Sequence, residues 1–187
     1  MKARVLDTAR ALNRKGLSVA RSGNVSARNG DGFFITPSAA SYDAITEEDI
    51  AEVALDGEPR GGRRSPSSEW RFHADIYRTR PEVGAVVHAH STCATALACL
   101  RRPIPPFHYM VAVAGGRDIR CAPYALFGSQ ELSDHAVTAL AGRSPTSSPS
   151  PPRAMKAKPK ANHISAFPSR VTRRITGVSQ FRSRRRI

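Results

Sequence analysis

Apolar positions change rhythm several times along this chain of 187 residues, and each change marks an element. Val5, Ala9 and Leu12 recur at helical intervals within residues 3–15, and Gly16 follows as a stop. "SGNVSARNGDGFFITP" reads as a hairpin: Val25 and Ala27 alternate with polar residues, "NGDG" supplies the turn and "FFIT" returns. A short strand is predicted over 50–55, closed by "DGEPRGG". "PSSEWRFHADIYRTRP" predicts a helix capped by Ser67 or Ser68, with Glu69 in its first turn and Pro81 just past its end. "GAVVHAH" predicts a strand and "STCATALACL" a helix capped by Ser91 or Thr92. "FHYMVAVAGG" and "IRCAPY" read as strands, and "SQELSDHAVTALAG" as a helix stopped by Gly142. There is no internal repeat. Helices and strands mix without a regular βαβ rhythm, which predicts an α/β or α+β fold on a sheet with antiparallel pairs.

Composition divides the chain in two. All 15 Asp and Glu residues fall before Ser144, beside 18 of the 29 Lys and Arg; residues 144–187 carry the other 11 and no acid. The net charge of +14 therefore belongs mostly to a Ser/Pro-rich tail, for which low hydrophobicity and high charge predict disorder. Residues 1–143 form one nearly balanced domain. "RSRRRI" at the tail's end can neutralise phosphates, but no recognition module accompanies it, so the expectation is non-specific attraction at most. No apolar run approaches the roughly 18 residues of a membrane span. The first 16 residues carry charges among their apolar positions, unlike a signal peptide. Cys93, Cys99 and Cys121 are odd in number and lack a C-x-x-C spacing, so reduced thiols and a cytoplasmic location are expected.

Three sets of residues suggest chemistry. His88 and His90 lie two apart on the predicted strand and so share a face, from which two imidazoles can chelate one ion such as Zn²⁺. The plainer alternative is one histidine hydrogen-bonded in the core and the other exposed. Glu69 stands at a helix N-terminus on a helix that runs directly into that strand. It can serve as metal ligand or proton-transfer base, or only as a cap. "SGN", "TPSA" and "PSSE" each place hydroxyls or backbone N–H groups in a turn, and serines before a helix suit a phosphate dianion.

"SGNVSAR", "ITPS", "PSSEWRFHADIY", "RPEVGAVVHAHS", "IPPFHYMVAVAGG" and "CAPYALFGSQELSDH" occur in this order. Together they resemble the class II (zinc-dependent) aldolase/adducin family over about residues 1–143, and most closely its members that cleave L-fuculose 1-phosphate. The resemblance implies cleavage of a ketose 1-phosphate into dihydroxyacetone phosphate and an aldehyde, with Zn²⁺ as the cofactor that steadies an enediolate. It implies His88, His90 and Glu69 as metal ligands, Glu69 also as the acid/base, and Tyr109 as the group that helps protonate the aldehyde oxygen. Gly23, Asn24, Ser38, Ala39, Ser67 and Ser68 match the phosphate-binding positions. The implied fold is a mainly antiparallel central sheet flanked by helices, here C-terminally incomplete, and the implied assembly is a homotetramer with sites at subunit interfaces.

Two departures stand out. Ala39 occupies a position where the family often has glycine, which matters only if the backbone there needs positive φ. The family's third zinc histidine is expected near Pro151, in a sequence like "LLxxHG", where this chain reads "SPTSSPSPPRAM". The break at Ser144 has the character of a frameshift or divergent fusion. His163 in "ANHIS" is a weak substitute, about twelve residues late by the family spacing. His73 reads as packing or hydrogen bonding, and His108 and His135 as outside the site. Loss of the covering segment predicts a bare sheet edge and marginal stability. The alternatives are a truncated inactive aldolase-like protein, or a related sugar-phosphate epimerase or dehydratase; Glu69 within "SSEWRFH" favours the aldolase over the epimerase.

Overall fold

A computed structural model describes residues 1–18 and 22–143, and the backbone of residues 163–168. In chain order the elements are α1 (Lys2–Arg14), β1 (Asn24–Asn29), β2 (Gly32–Ile35), β3 (Ala51–Ala54), β4 (Pro59–Gly61), α2 (Trp70–Thr79), β5 (Val83–Ala89), α3 (Thr92–Cys99), α4 (Tyr109–Val113), α5 (Gln130–Leu140) and β6 (His163–Pro168). The strands form one sheet in the order β4-β3-β2-β1-β5-β6, and every neighbouring pair is antiparallel. Among the described residues no helix is long and apolar enough to cross a membrane.

The sheet is covered on both faces. On one, Val5, Leu6, Ala9 and Leu12 of α1 meet Val25, Ala27 and Ala89. On the other, Phe72, Ile76 and Tyr77 of α2 and Leu132, Ala136 and Leu140 of α5 pack on Phe33, Ile35, Val53 and Val86. Strand alternation divides each strand between the two cores. Val87 and Ala89 of β5 lie on the α1 side, while Val86 and His88 lie on the α2 side.

Several expectations are corrected. Residues 109–113 are helical rather than extended, and the side chain of His108 accepts the Met110 N–H at the helix start. Among the described residues no strand pairs with the alternation of "VAVA", and extended propensity without a partner does not make a sheet. "IRCAPY" is not a strand either; a single bridge joins Ile119 to Ile104. Prolines 103, 105, 106 and 123 remove ladder donors around it. The cap of α2 is Glu69 itself, with no side-chain cap bond; Ser67 Oγ instead accepts the Glu69 N–H at 3.3 Å. "DGEPRGG" does more than close β3, because residues 59–61 return as β4. Residues 163–168 extend along β5 and cover the edge expected to be bare; the rest of the basic tail lies outside the described residues.

Candidate active site

The antiparallel ladder sets His88 of β5 directly across from Asn24 of β1. The N-terminus of α2 lies over this pair, so Glu69 reaches the sheet from above. Glu69 Oε2 is 3.1 Å from His88 Nε2, and His88 Nε2 is 3.0 Å from His90 Nε2. His90 falls just past the strand end, where its N–H donates to Leu17 O at 2.9 Å and ties it to the chain after α1. His88 is fully buried and Glu69 is 8% exposed, whereas His90 is half-buried.

Burial alone would raise the Glu69 carboxyl. The adjoining His88, the Asn24 amide that donates to Oε2 at 3.0 Å, and His90 outweigh it and hold the pKa down at about 2. The group is thus a carboxylate at neutral pH. Two imidazole nitrogens and a carboxylate oxygen point into one small space, and their lone pairs can be satisfied together only by a shared proton or a cation. Donors on one tetrahedral zinc stand about 3.3 Å apart, close to the separations found here. A carboxylate and two imidazoles are ligand types that a divalent ion such as Zn²⁺ takes, so Glu69, His88 and His90 are the residues that would hold one. Among the described residues no group of three or more His, Cys, Asp or Glu side chains is arranged, as it stands, to hold a metal ion; Glu69 touches His88 and His88 touches His90.

The polar turns meet beside the cluster. Ser67 N–H donates to Thr36 O, Ser38 N–H to Ser65 O, and Pro37 bridges Pro66, so "TPSA" and "PSSE" run side by side. Thr36 N–H donates to Val25 O, which joins them to the "SGN" turn. Ser38, Ala39 and Ser68 are exposed on this rim and Ser67 is buried beneath it. Gly23 has φ +82°, and a Cβ there would stand 2.6 Å from both His88 O and Ser18 Oγ. Ala39 has φ +52°, so its backbone does adopt the left-handed conformation that glycine favours. The Asn24 side chain turns inward, to Glu69 and His73, rather than to the rim.

A family model, the class II aldolase and adducin N-terminal domain, matches residues 3–149. The chain belongs to this family. It is 54% identical over 139 residues to a 5-methylthioribulose-1-phosphate/5-deoxyribulose-1-phosphate aldolase of Rhodospirillum rubrum, covering 74% of this chain and 62% of the relative. It is 46% identical over 142 residues to the L-fuculose phosphate aldolase of Escherichia coli K12, covering 76% and 66%. A solved L-fuculose 1-phosphate aldolase superposes with a TM-score of 0.79 at 36% identity, covering 89% of this chain and 74% of the other. The chain spans just under two thirds of the length of the curated relatives it matches.

Other residues singled out in the sequence of this class II aldolase-family chain lie apart from the cluster. Tyr109 opens α4, is 73% exposed, and has its ring 4.4 Å from that of His108. His135 lies on α5. The backbone of His163 pairs with Ala89, one register position away from His88, which pairs with Ile164. Asn24 was expected at the phosphate rather than as the partner of Glu69, and Ser26 and His73 beyond it were not legible as site residues. The available signal was a polar alternation on β1, Asn24 and Ser26, matched by His73 and Tyr77 at helical spacing on α2.

Proposed function

We propose that this chain acts as a zinc-dependent aldolase on a ketose 1-phosphate, releasing dihydroxyacetone phosphate and an aldehyde, with lower turnover than its longer relatives. The observation that carries the reading is the meeting of Glu69, His88 and His90 immediately after the serine-lined turn that opens α2. A cation held there would supply positive charge for the two adjacent oxygens on which negative charge develops when the carbon–carbon bond breaks. Asn24, expected at the phosphate, spends its side chain on Glu69 and His73, whereas Ser67, Ser68, Ser38, Ala39 and Gly23 hold the phosphate, by side chain or backbone N–H, beside the positive end of α2. That fixes the reacting carbons against Glu69. Glu69 exchanges a proton with the three-carbon fragment. The names of the relatives support either L-fuculose 1-phosphate or a 5-substituted ribulose 1-phosphate as the ketose.

Tyr109 has its place in an assembly. It is one of several exposed large apolar side chains, with Leu100, Phe107, Val113, Leu126 and Phe127, and exposure of so many supports self-association into the family's tetramer. There its hydroxyl would serve the aldehyde oxygen.

A second reading, an aldolase-fold protein that binds metal without turnover, is favoured by one fact: among the described residues the cluster has only two imidazoles. The purified chain, loaded with Zn²⁺, is given L-fuculose 1-phosphate and 5-deoxyribulose 1-phosphate, and dihydroxyacetone phosphate is measured by coupled NADH oxidation. Turnover that disappears in Glu69→Gln and His88→Ala supports the aldolase. Stoichiometric zinc without product from either sugar supports the second reading.

A further inference from the structure

A buried line of hydrogen bonds leads from α2 through β1 to Glu69, and the chemistry above does not use it. Ser26, His73 and Tyr77 are 0%, 0% and 1% exposed. The Tyr77 hydroxyl lies 2.7 Å from Ser26 Oγ, which lies 2.6 Å from His73 Nδ1. His73 Nε2 lies 2.5 Å from Asn24 Oδ1, and Asn24 Nδ2 donates to Glu69 Oε2 at 3.0 Å.

The direction of every link follows from one end. The Glu69 carboxylate can only accept, so Asn24 turns its NH₂ toward it and its carbonyl oxygen toward His73. That oxygen also only accepts, so His73 Nε2 carries a proton. A neutral imidazole has one N–H, so Nδ1 accepts from the Ser26 hydroxyl, and Ser26 in turn accepts from Tyr77. Burial first, and the neighbouring His88 second, depress the His73 pKa to about 3, which keeps the ring neutral. An Asn amide without a donor at its oxygen can turn over and present that oxygen to the carboxylate, which repels it. The His73 N–H removes this alternative.

We propose that His73 is a positioning residue: donating from Nε2, it locks the Asn24 amide with an N–H on Glu69, while Ser26 and Tyr77 fix the His73 tautomer. The effect on catalysis rests on the aldolase reading; the tautomer and the amide orientation do not.

Long-range ¹H–¹⁵N correlation on the ¹⁵N-labelled full chain reads the tautomer directly. The expected result is a neutral ring protonated at Nε2 near pH 7; an Nδ1–H ring or an imidazolium would overturn the proposal. His73→Gln retains an amide N–H close to the Nε2 position, and His73→Leu removes it. With Zn²⁺ present, kcat should fall about 10²-fold in His73→Leu at little-changed KM, and only severalfold in His73→Gln. Equal losses in the two variants refute the positioning role. If His73→Leu does not fold, Tyr77→Phe is compared by the same NMR experiment, and a mixture of tautomers is expected. If the wild-type chain has no turnover, the aldolase reading fails, and the tautomer still decides this inference.

Discussion

Gly23 ties the substrate turn to the histidine strand, and adding one methyl group measures how tightly. Its φ of +82° already disfavours a side chain, and a Cβ would stand 2.6 Å from His88 O and from Ser18 Oγ. Gly16 is the internal standard: its φ is +64°, but nothing lies within 4 Å of its would-be Cβ. Gly16→Ala therefore carries only the left-handed penalty, about 1 kcal/mol once the stiffer unfolded chain is credited. Gly23→Ala carries the same penalty plus crowding against a backbone carbonyl that cannot rotate away. Overpacking of this kind costs about 1–3 kcal/mol, so a total of about 2–4 kcal/mol is expected. Urea denaturation followed by far-UV circular dichroism gives both values. Because the obstructing atom belongs to His88, Gly23→Ala should also weaken zinc binding in a competition titration, and Gly16→Ala should not. Equal destabilisation by the two substitutions, with unchanged metal affinity, would show that the turn is not held against β5 as described.

Ala39→Gly relieves a φ of +52° at an exposed position and should raise stability by about 1 kcal/mol in the same denaturation assay. Arg28 donates to the carbonyls of Val83, Tyr77 and Arg80 at 3.0, 2.7 and 3.3 Å and lies over the Tyr77 ring. Arg28→Lys keeps the charge but loses the fork, and should cost about 2 kcal/mol by thermal unfolding. The His73 pKa is about 3 in the folded chain, against an ordinary value of 6.5 when unfolded. Between those values only the unfolded state binds the proton, so stability falls as pH drops from 6.5 toward 3. Between pH 6 and 5 the wild type should lose about 1 kcal/mol more than His73→Gln, as measured by urea denaturation at each pH.

What the sequence determined by itself was local. Helical spacing placed α1, α2, α3 and α5, and the Gly30 turn with its flanking alternation placed β1 and β2. The period of two put His88 and His90 on one side of the predicted strand. These depend on backbone geometry and on residues close in the chain, which a linear reading contains. The same reasoning failed at residues 109–113, where alternation promised a strand but none of the described residues supplies a ladder. It also passed over Ser26, and placed Asn24 in the phosphate-binding turn rather than beside Glu69, since a polar residue alternating with Val25 and Ala27 looks solvent-facing. Only the tertiary structure buries both faces of β1, because α2 brings His73 and Tyr77 down onto it. Only the tertiary structure, too, lays "TPSA" beside "PSSE" and gives Ala39 its left-handed φ. Burying a polar group is tolerable only when a specific partner meets it, and that partner lies 45 or more positions away along the chain.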